Sequence, residues 1–563
     1  MSTTAEPARR TMRPDAGRPR GEGQWALGFR EPLNPNERTK FDDDGLNVRA
    51  RIENIYSKAG FASIDPSDLN GRFRWWGLYT QRAPGIEGGR TALLEPHELS
   101  DEYFMLRVRS DGGRLNLRQL RTIAQIASEF GRDVADITDR QNIQLHWIEI
   151  ENVPEIWQRL EDVGLTTAEA CGDTPRVILG SPVAGVAADE IIDGTPAIEE
   201  IVKTFIGDPS LSNLPRKFKT AISGSPHQDV AHEVHDVAFI GVQHPEHGPG
   251  FDVFVGGGLS TNPMFAQRLG AFVTLEEIPQ VWHGIVSIFR DYGYRRLRHR
   301  ARIKFLVADW GAEHFREVLE NEYLGRALKD GPAPGDPVGR PDHVGINKQR
   351  DGNYYVGVAP SVGRVSGQVL SGVADLAEAA GSDQVRLTAQ QKLLILDVKP
   401  DAIDPLVGGL EQLGLAARPT EFRRGAMACT GIEFCKLAIV ETKALAANLV
   451  DDLEKRLPSF EHPLSIHVNG CPNSCARIQV ADIGLKGSIV RDAAGEQVEG
   501  FQVHLGGGLG LDTGLGRKPR GLKVPSAELP EFVARVAARY DEQHEPDESF
   551  AAWAQRAEES DLK

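Results

Sequence analysis

Cysteine is scarce in this chain, with five among 563 residues. So few thiols exclude a disulfide-dense secreted scaffold and suit a reducing, cytoplasmic compartment. Long apolar runs are missing too. No stretch approaches the roughly 18 residues of a membrane span, and no apolar signal region follows the N-terminus, so neither a membrane nor secretion is indicated. Basic charge is in deficit, 64 Lys and Arg against 80 Asp and Glu, for a net charge of -16. That balance argues against a nucleic-acid partner. One basic stretch, Tyr294-Arg-Arg-Leu-Arg-His-Arg-Ala-Arg-Ile-Lys304, runs against it. A dinucleotide fingerprint and a P-loop are absent, because Gly256-Gly-Gly-Leu-Ser-Thr-Asn fits neither G-x-G-x-x-G nor G-x-x-x-x-G-K-[ST]. The glycines there instead predict a tight turn with close backbone approach.

What cysteine there is lies in one place. Four of the five form Cys429-x5-Cys435 and Cys471-Pro-Asn-Ser-Cys475. Structural zinc usually takes tighter C-x2-4-C pairs, whereas iron-sulfur clusters accept four thiolates in varied spacings, so this quartet points to a cluster. Composition is otherwise that of a globular protein with mass for three or four domains. Residues 1–22, rich in Ala, Pro, Arg and Thr, read as a disordered tail.

The chain also repeats itself at a fixed offset of 250. Gly113-Arg114-Leu115 recurs as Gly363-Arg364-Val365, Ile137-Thr138 as Leu387-Thr388, and Gly164-Leu165 as Gly414-Leu415. Gly250-Phe251-x-Val253-x-Val255-Gly-Gly-Gly-Leu259 recurs as Gly500-Phe501-x-Val503-x-Leu505-Gly-Gly-Gly-Leu509. Two long copies predict a duplicated unit with pseudo-twofold symmetry, unlike the short periods of solenoids. The Pro/Gly-rich residues 331–341 are the natural linker.

The copies differ in their polar residues. Residues 137–147 alternate, with Arg140, Asn142, Gln144 and His146 on one face, and read as a half-buried strand. In copy two that face becomes Gln390, Lys392, Leu394 and Leu396. Arg107 and Arg109, two apart on a strand, become Gly357 and Ala359. Arg72 and Arg74 alternate in Gly-Arg-Phe-Arg-Trp-Trp, Lys217 and Lys219 flank Phe218, and Arg176 follows Cys171-Gly-Asp-Thr-Pro. A solvated strand face would carry a Lys/Glu mixture. Arg, Asn, Gln and His together suit an anion, and so many cations in an acidic chain imply a polyanionic ligand.

With Asn469-Gly-Cys-Pro-Asn-Ser-Cys475, Arg107-Val-Arg109, Asp139-Arg-Gln-Asn142 and Lys217-Phe-Lys219 in view, the chain resembles the sirohaem-containing nitrite/sulfite reductase family from about residue 24 onward. Within it, the likeness is to the ferredoxin-dependent sulfite reductases of actinobacteria. The resemblance implies an α+β fold, internally duplicated, each copy pairing a ferredoxin-like subdomain with a larger sirohaem/[4Fe-4S]-binding subdomain. The implied divisions are 23–171 and 337–418 for the ferredoxin-like halves, 172–336 for the first sirohaem and substrate domain, and 419–563 for the domain ligating the cluster. It further implies a [4Fe-4S] cluster on Cys429, Cys435, Cys471 and Cys475, with Cys475 also the axial ligand of sirohaem. Arg140, Asn142, Gln144, His146, Arg72, Arg74, Arg302 and Lys304 would serve the carboxylate-rich cofactor. Arg107 or Arg109, with Arg176, Lys217 and Lys219, would hold the substrate oxyanion.

The implied activity is six-electron reduction of sulfite to sulfide by reduced ferredoxin, since no flavin or nicotinamide motif is present. Nitrite reduction to ammonia is the alternative. Family members specific for nitrite tend to carry Asn where this chain has Lys219, and sulfite is the more highly charged anion. A non-enzymatic iron-sulfur or zinc module is the other alternative. Close relatives carry a thioether between a cysteine and a tyrosine in the contexts of Cys171 and Tyr79, against which stands a simply buried Cys171. A monomer is expected, because large repeats can satisfy their own interfaces.

Overall fold

The computed structural model describes residues 34–563, so the predicted tail at 1–22 lies outside the described residues. Helices and sheets are interspersed throughout, in four sheets that fall into two matching pairs. One small antiparallel sheet orders Leu78–Arg82, Ser100–Val108, Ile143–Ile148 and Ala135–Ile137; its counterpart orders Gly345–Lys348, Tyr354–Val358, Leu393–Val398 and Gln384–Leu387. Each is completed by a strand from the other copy. Arg364–Val365 pairs with Ala135–Ile137, and Arg114–Asn116 pairs with Gln384–Leu387. The repeated Gly-Arg-hydrophobic motif is therefore the exchanged edge strand.

That exchange makes the two small subdomains one body. A single hydrophobic core runs from Val48 to Leu165 and on from Val356 to Ala417. The helices Leu117–Phe130 and Gly367–Ala379 meet across it closely enough that a Cβ on Gly367 would lie 2.3 Å from the Ala124 carbonyl oxygen. Leu117–Phe130 begins with a capping box, Asn116 accepting from the Gln119 amide while Gln119 accepts from Asn116, and buries Leu120, Ile123, Ala124 and Ala127 at helical spacing.

The two larger sheets have separate cores, one from Ile178 to Leu328 and one centred on residues 422–562. They are mixed. In the first, Leu179–Gly180, Thr220–Ser223 and Val237–His244 run parallel before three antiparallel strands; in the second, Ala426–Ala428, Ile466–Asn469 and Ile483–Arg491 run parallel before two. Parallel neighbours send their following loops from one end of the sheet, which concentrates side chains there.

Two local expectations need correction. Residues 137–147 are not one strand: Ala135–Ile137 and Ile143–Ile148 form a hairpin whose turn places Gln141 at φ 55°. The alternating pattern runs on through the turn because its polar positions pack inward as well. Copy two repeats the device with Gln391 at φ 59°. Arg72 and Arg74 lie on a 3-10 helix, Arg72–Trp76, where residues two apart point about 120° from each other. The glycine triplets make the expected close approach, but to the protein itself. A Cβ on Gly257 would lie 2.5 Å from Glu233 O, and one on Gly507 would lie 2.4 Å from Gln479 O.

Candidate active site and metal centre

The cysteines sit where the second large sheet gathers its loops. Cys429 directly follows Ala426–Ala428 and Cys471 lies just beyond Ile466–Asn469, two parallel neighbours ending in step. Asn469 shapes the second loop, its amide donating to Cys471 O at 2.6 Å and its oxygen accepting from Ala476 N at 2.9 Å. All four thiols are free. Burial, followed by repulsion from Cys475 and Cys435, pushes the Cys429 thiol up to about 12, and burial likewise raises Cys435 and Cys471. Such thiols lose their protons to a metal rather than to water.

Backbone amides point at the sulfurs. Gly470 N donates to Cys429 Sγ at 3.2 Å, and amides at Leu437 and Asn473 approach Cys435 and Cys471. Among the described residues no three Cys, His, Asp or Glu stand as close as ligands of one ion. Four mutually interacting thiols ringed by amide donors fit a polynuclear iron-sulfur centre, whose potential such bonds tune.

Cys475 is exposed, and its charge reaches a cluster of cations at Lys217. Burial, then Lys219, Arg302 and Arg216, hold the Lys217 amine well below its usual range, with Cys475 pulling the other way. Burial, then Arg140, lower Lys219 to about 7; burial, with Arg176 and Arg107, lowers Arg140 to about 9 against the pull of Asp139. Both lysines keep some accessible surface despite the surrounding protein. Asn142 adds a buried Oδ1 with no protein partner, and Gln144 stands directly across the strand pair from Arg107.

Arg107 and Arg109 separate cleanly. Arg109 is buried and taken up by Asp111 at 2.7 and 3.0 Å and by the carbonyls of Glu169, Pro175 and Arg176. Arg107 instead turns its Nε to Cys171 Sγ at 3.3 Å, beside Tyr79 and Asp139. Burial would raise the Cys171 thiol, but Arg107, Arg176 and a hydrogen bond with Tyr79 bring it below its ordinary value. Burial and the neighbouring thiol raise the Tyr79 phenol. Arg176 donates to Gly172 O and lies in the same charged group.

Several expected cofactor cations have other work. Arg72 binds Asp68, Ser67 and the carbonyls of Thr39 and Asp43, because the 3-10 helix aims it away from Arg74. Lys304 gives its amine to the carbonyls of Gly258, Leu259 and Asn262, bracing the glycine loop. Arg302 forks onto Asp236 at 2.8 Å. His146 is bound to Asp136 at 3.0 Å and stacked on Phe434 at 3.9 Å, one residue before Cys435. Part of the basic stretch is likewise internal, Arg295 pairing with Glu37 and Arg298 with Asp173, while Arg296, His299 and Arg300 are exposed.

Sequence reasoning missed Arg216, whose charge meets Arg74, Arg298 and Arg302, and Asp139, whose charge reaches Arg107, Arg140, Lys219 and Arg477. Both lie inside motifs already singled out. It also missed Gln141 and Gln391, which clamp Gly180 and Ala428 through both amide ends; their identical spacing in the repeat was the available signal.

A duplicated α+β scaffold with a four-thiol centre beside a cluster of cations defines a class of redox enzymes that reduce small oxyanions. The model of the nitrite and sulphite reductase 4Fe-4S domain matches residues 171–328 and 420–561, and that of the nitrite/sulfite reductase ferredoxin-like half domain matches 97–163 and 347–413. The chain belongs to this family. It is 59% identical over 566 residues to the sulfite reductase [ferredoxin] of Mycobacterium tuberculosis strain H37Rv, covering 100% of both chains. It is 36% identical over 552 residues to the assimilatory ferredoxin-dependent nitrite reductase of Haloferax mediterranei, covering 92% of this chain and 91% of that one. The structure of the Mycobacterium tuberculosis NirA protein superimposes with a TM-score of 0.94 at 59% identity, over 97% of this chain and 100% of that one.

Proposed function

We propose that this protein reduces sulfite to sulfide with electrons from reduced ferredoxin, through the balance HSO3⁻ + 6 e⁻ + 6 H⁺ → HS⁻ + 3 H2O. The observation that carries this reading is the pair Lys217 and Lys219, half-buried among other cations, with Arg140 acting on Lys219 and Cys475 acting on Lys217. Cys429, Cys435, Cys471 and Cys475 would hold a [4Fe-4S] cluster, and Cys475 would also help hold sirohaem. Together these groups supply single electrons and an open iron position when bound. Arg74 and Arg216 feel the charge of Asp173 but form no ion pair with a carboxylate among the described residues, and suit cofactor carboxylates.

The chain's own residues then do three things. Arg107, Arg140 and Arg176 attract and orient the oxyanion, because fixed cations in a desolvated site act more strongly than in water. Lys219, lowered to about 7, can hold a proton at Nζ and release it near neutral pH. Asp139 partly balances the charge of Arg107 and Arg140. A monomer in the cytoplasm suits this reading: each half lends the other an edge strand, and five cysteines, four of them spaced for a metal centre, suit a reducing compartment. No described helix is long and apolar enough to cross a membrane.

The test is kcat/KM for sulfite against nitrite on holoenzyme of known iron and sirohaem content. A sulfite preference supports the reading; a nitrite preference transfers the enzyme to nitrite reduction.

A further inference from the structure

The electron donor must find this protein despite its net charge of -16. Three lysines stand apart from the many ion pairs. Lys486 on Ile483–Arg491, Lys523 on the edge strand Lys523–Pro525, and Lys518 on the segment between form no ion pair among the described residues. Lys518 and Lys523 are exposed and Lys486 is half-buried. After burial, the charges acting on Lys486 are those two lysines, and the charges acting on His504 are Lys518 and Lys486; no carboxylate offsets either. Like charges left together without partners weaken a fold and are retained for something they bind.

Their position relates them to the thiol centre. Asn469 pairs with Lys486, Lys486 with Gln502, and Gln502 with Lys523, one row across the sheet. Residues in such a row project from the same face, about 4.8 Å apart per strand. Asn469 is the residue whose side chain holds the loop bearing Cys471 and Cys475. The row therefore begins about one strand spacing from that loop at Lys486 and ends at Lys523 on the sheet edge, about 14 Å from Asn469. Leu511 and Leu515, 72% and 39% exposed, precede Lys518 on the same segment and add an apolar contact.

We propose that Lys486, Lys518 and Lys523, with Leu511 and Leu515, form the docking surface for an acidic electron-carrier protein, the ferredoxin of the proposed function, on which this inference rests. A positive surface in an acidic protein selects a partner with a concentrated negative face, and steers its approach to where electrons enter.

The test uses holoenzyme and two electron sources, reduced ferredoxin and reduced methyl viologen. The variants are K518E/K523E, both exposed positions, and K486E/K518E/K523E. The expected result is a KM for ferredoxin raised about tenfold or more, with the salt dependence of the wild type flattened, while viologen-driven turnover and iron and sirohaem content stay unchanged. Ferredoxin kinetics equal to the wild type in both variants would overturn the proposal. Loss of sirohaem from K518E/K523E would overturn it differently, by assigning the lysines to the cofactor cradle. A wild type that turns over with viologen and not with ferredoxin would remove the donor assignment itself, and the docking surface with it.

Discussion

Gly113 lies against the carbonyl of Leu387, so close that a Cβ on the glycine would sit 2.4 Å from that oxygen. Gly363 repeats the contact from the other copy, 2.5 Å from Ile137 O, and both glycines have positive φ, 67° and 74°. These are the hinges at which the edge strands cross. G113A and G363A are each expected to cost about 2–4 kcal/mol, through left-handed backbone and overlap with a carbonyl. Thermal unfolding checks this, and unchanged midpoints would show that the crossing tolerates a side chain.

The two strand arginines should fail in different ways. R107L is expected to lower sulfite kcat/KM by about 100-fold or more with the melting temperature preserved, as for a lost oxyanion donor. R109L should instead destabilise the fold by about 3–5 kcal/mol, because it leaves Asp111 uncompensated in the interior. Matched calorimetry and kinetics separate the two.

Lys219 should set both selectivity and pH response. K219N is expected to shift the kcat/KM ratio toward nitrite by about tenfold, one charge-assisted contact being lost to the more highly charged anion. The Lys219 amine, at about 7, carries its proton below that pH and loses it above. KM for nitrite, which does not titrate near neutrality, should therefore rise between about pH 7 and 8 in the wild type and stay flat in K219R. A wild-type KM independent of pH across that window would contradict this.

Replacing any one of Cys429, Cys435, Cys471 or Cys475 by serine should reduce bound iron and acid-labile sulfide to near zero and bleach the visible absorption. Zinc in place of iron in the wild-type protein would refute the cluster assignment.

Tyr79 and Cys171 are in hydrogen-bond contact under Arg107 and Arg176. A thioether would join a tyrosine ring carbon to Sγ, with one hydrogen lost from each and two electrons passed to dioxygen. Peptide mapping of the native enzyme should find the linked pair, lighter by two hydrogens than the separate peptides. A free Cys171 thiol would exclude it.

The sequence by itself determined the duplication and the placing of four thiols on two loops, because both are written as fixed spacings along the chain. It also gave copy one the Arg107, Arg109 and Arg140 positions that copy two replaces with Gly357, Ala359 and Gln390. Which cations face the cavity was decided only in three dimensions. Arg72 and Arg74, or Arg107 and Arg109, look equivalent in a local pattern; they diverge because Asp68 and Asp111 approach one member of each pair. His146 has the alternation of a ligand-facing residue, yet packs on Asp136 and Phe434. Periodicity reports which residues share a face of an element. The partner each side chain meets comes from distant chain, and here the reciprocal exchange of Arg114–Asn116 and Arg364–Val365 brings the two halves together around the site.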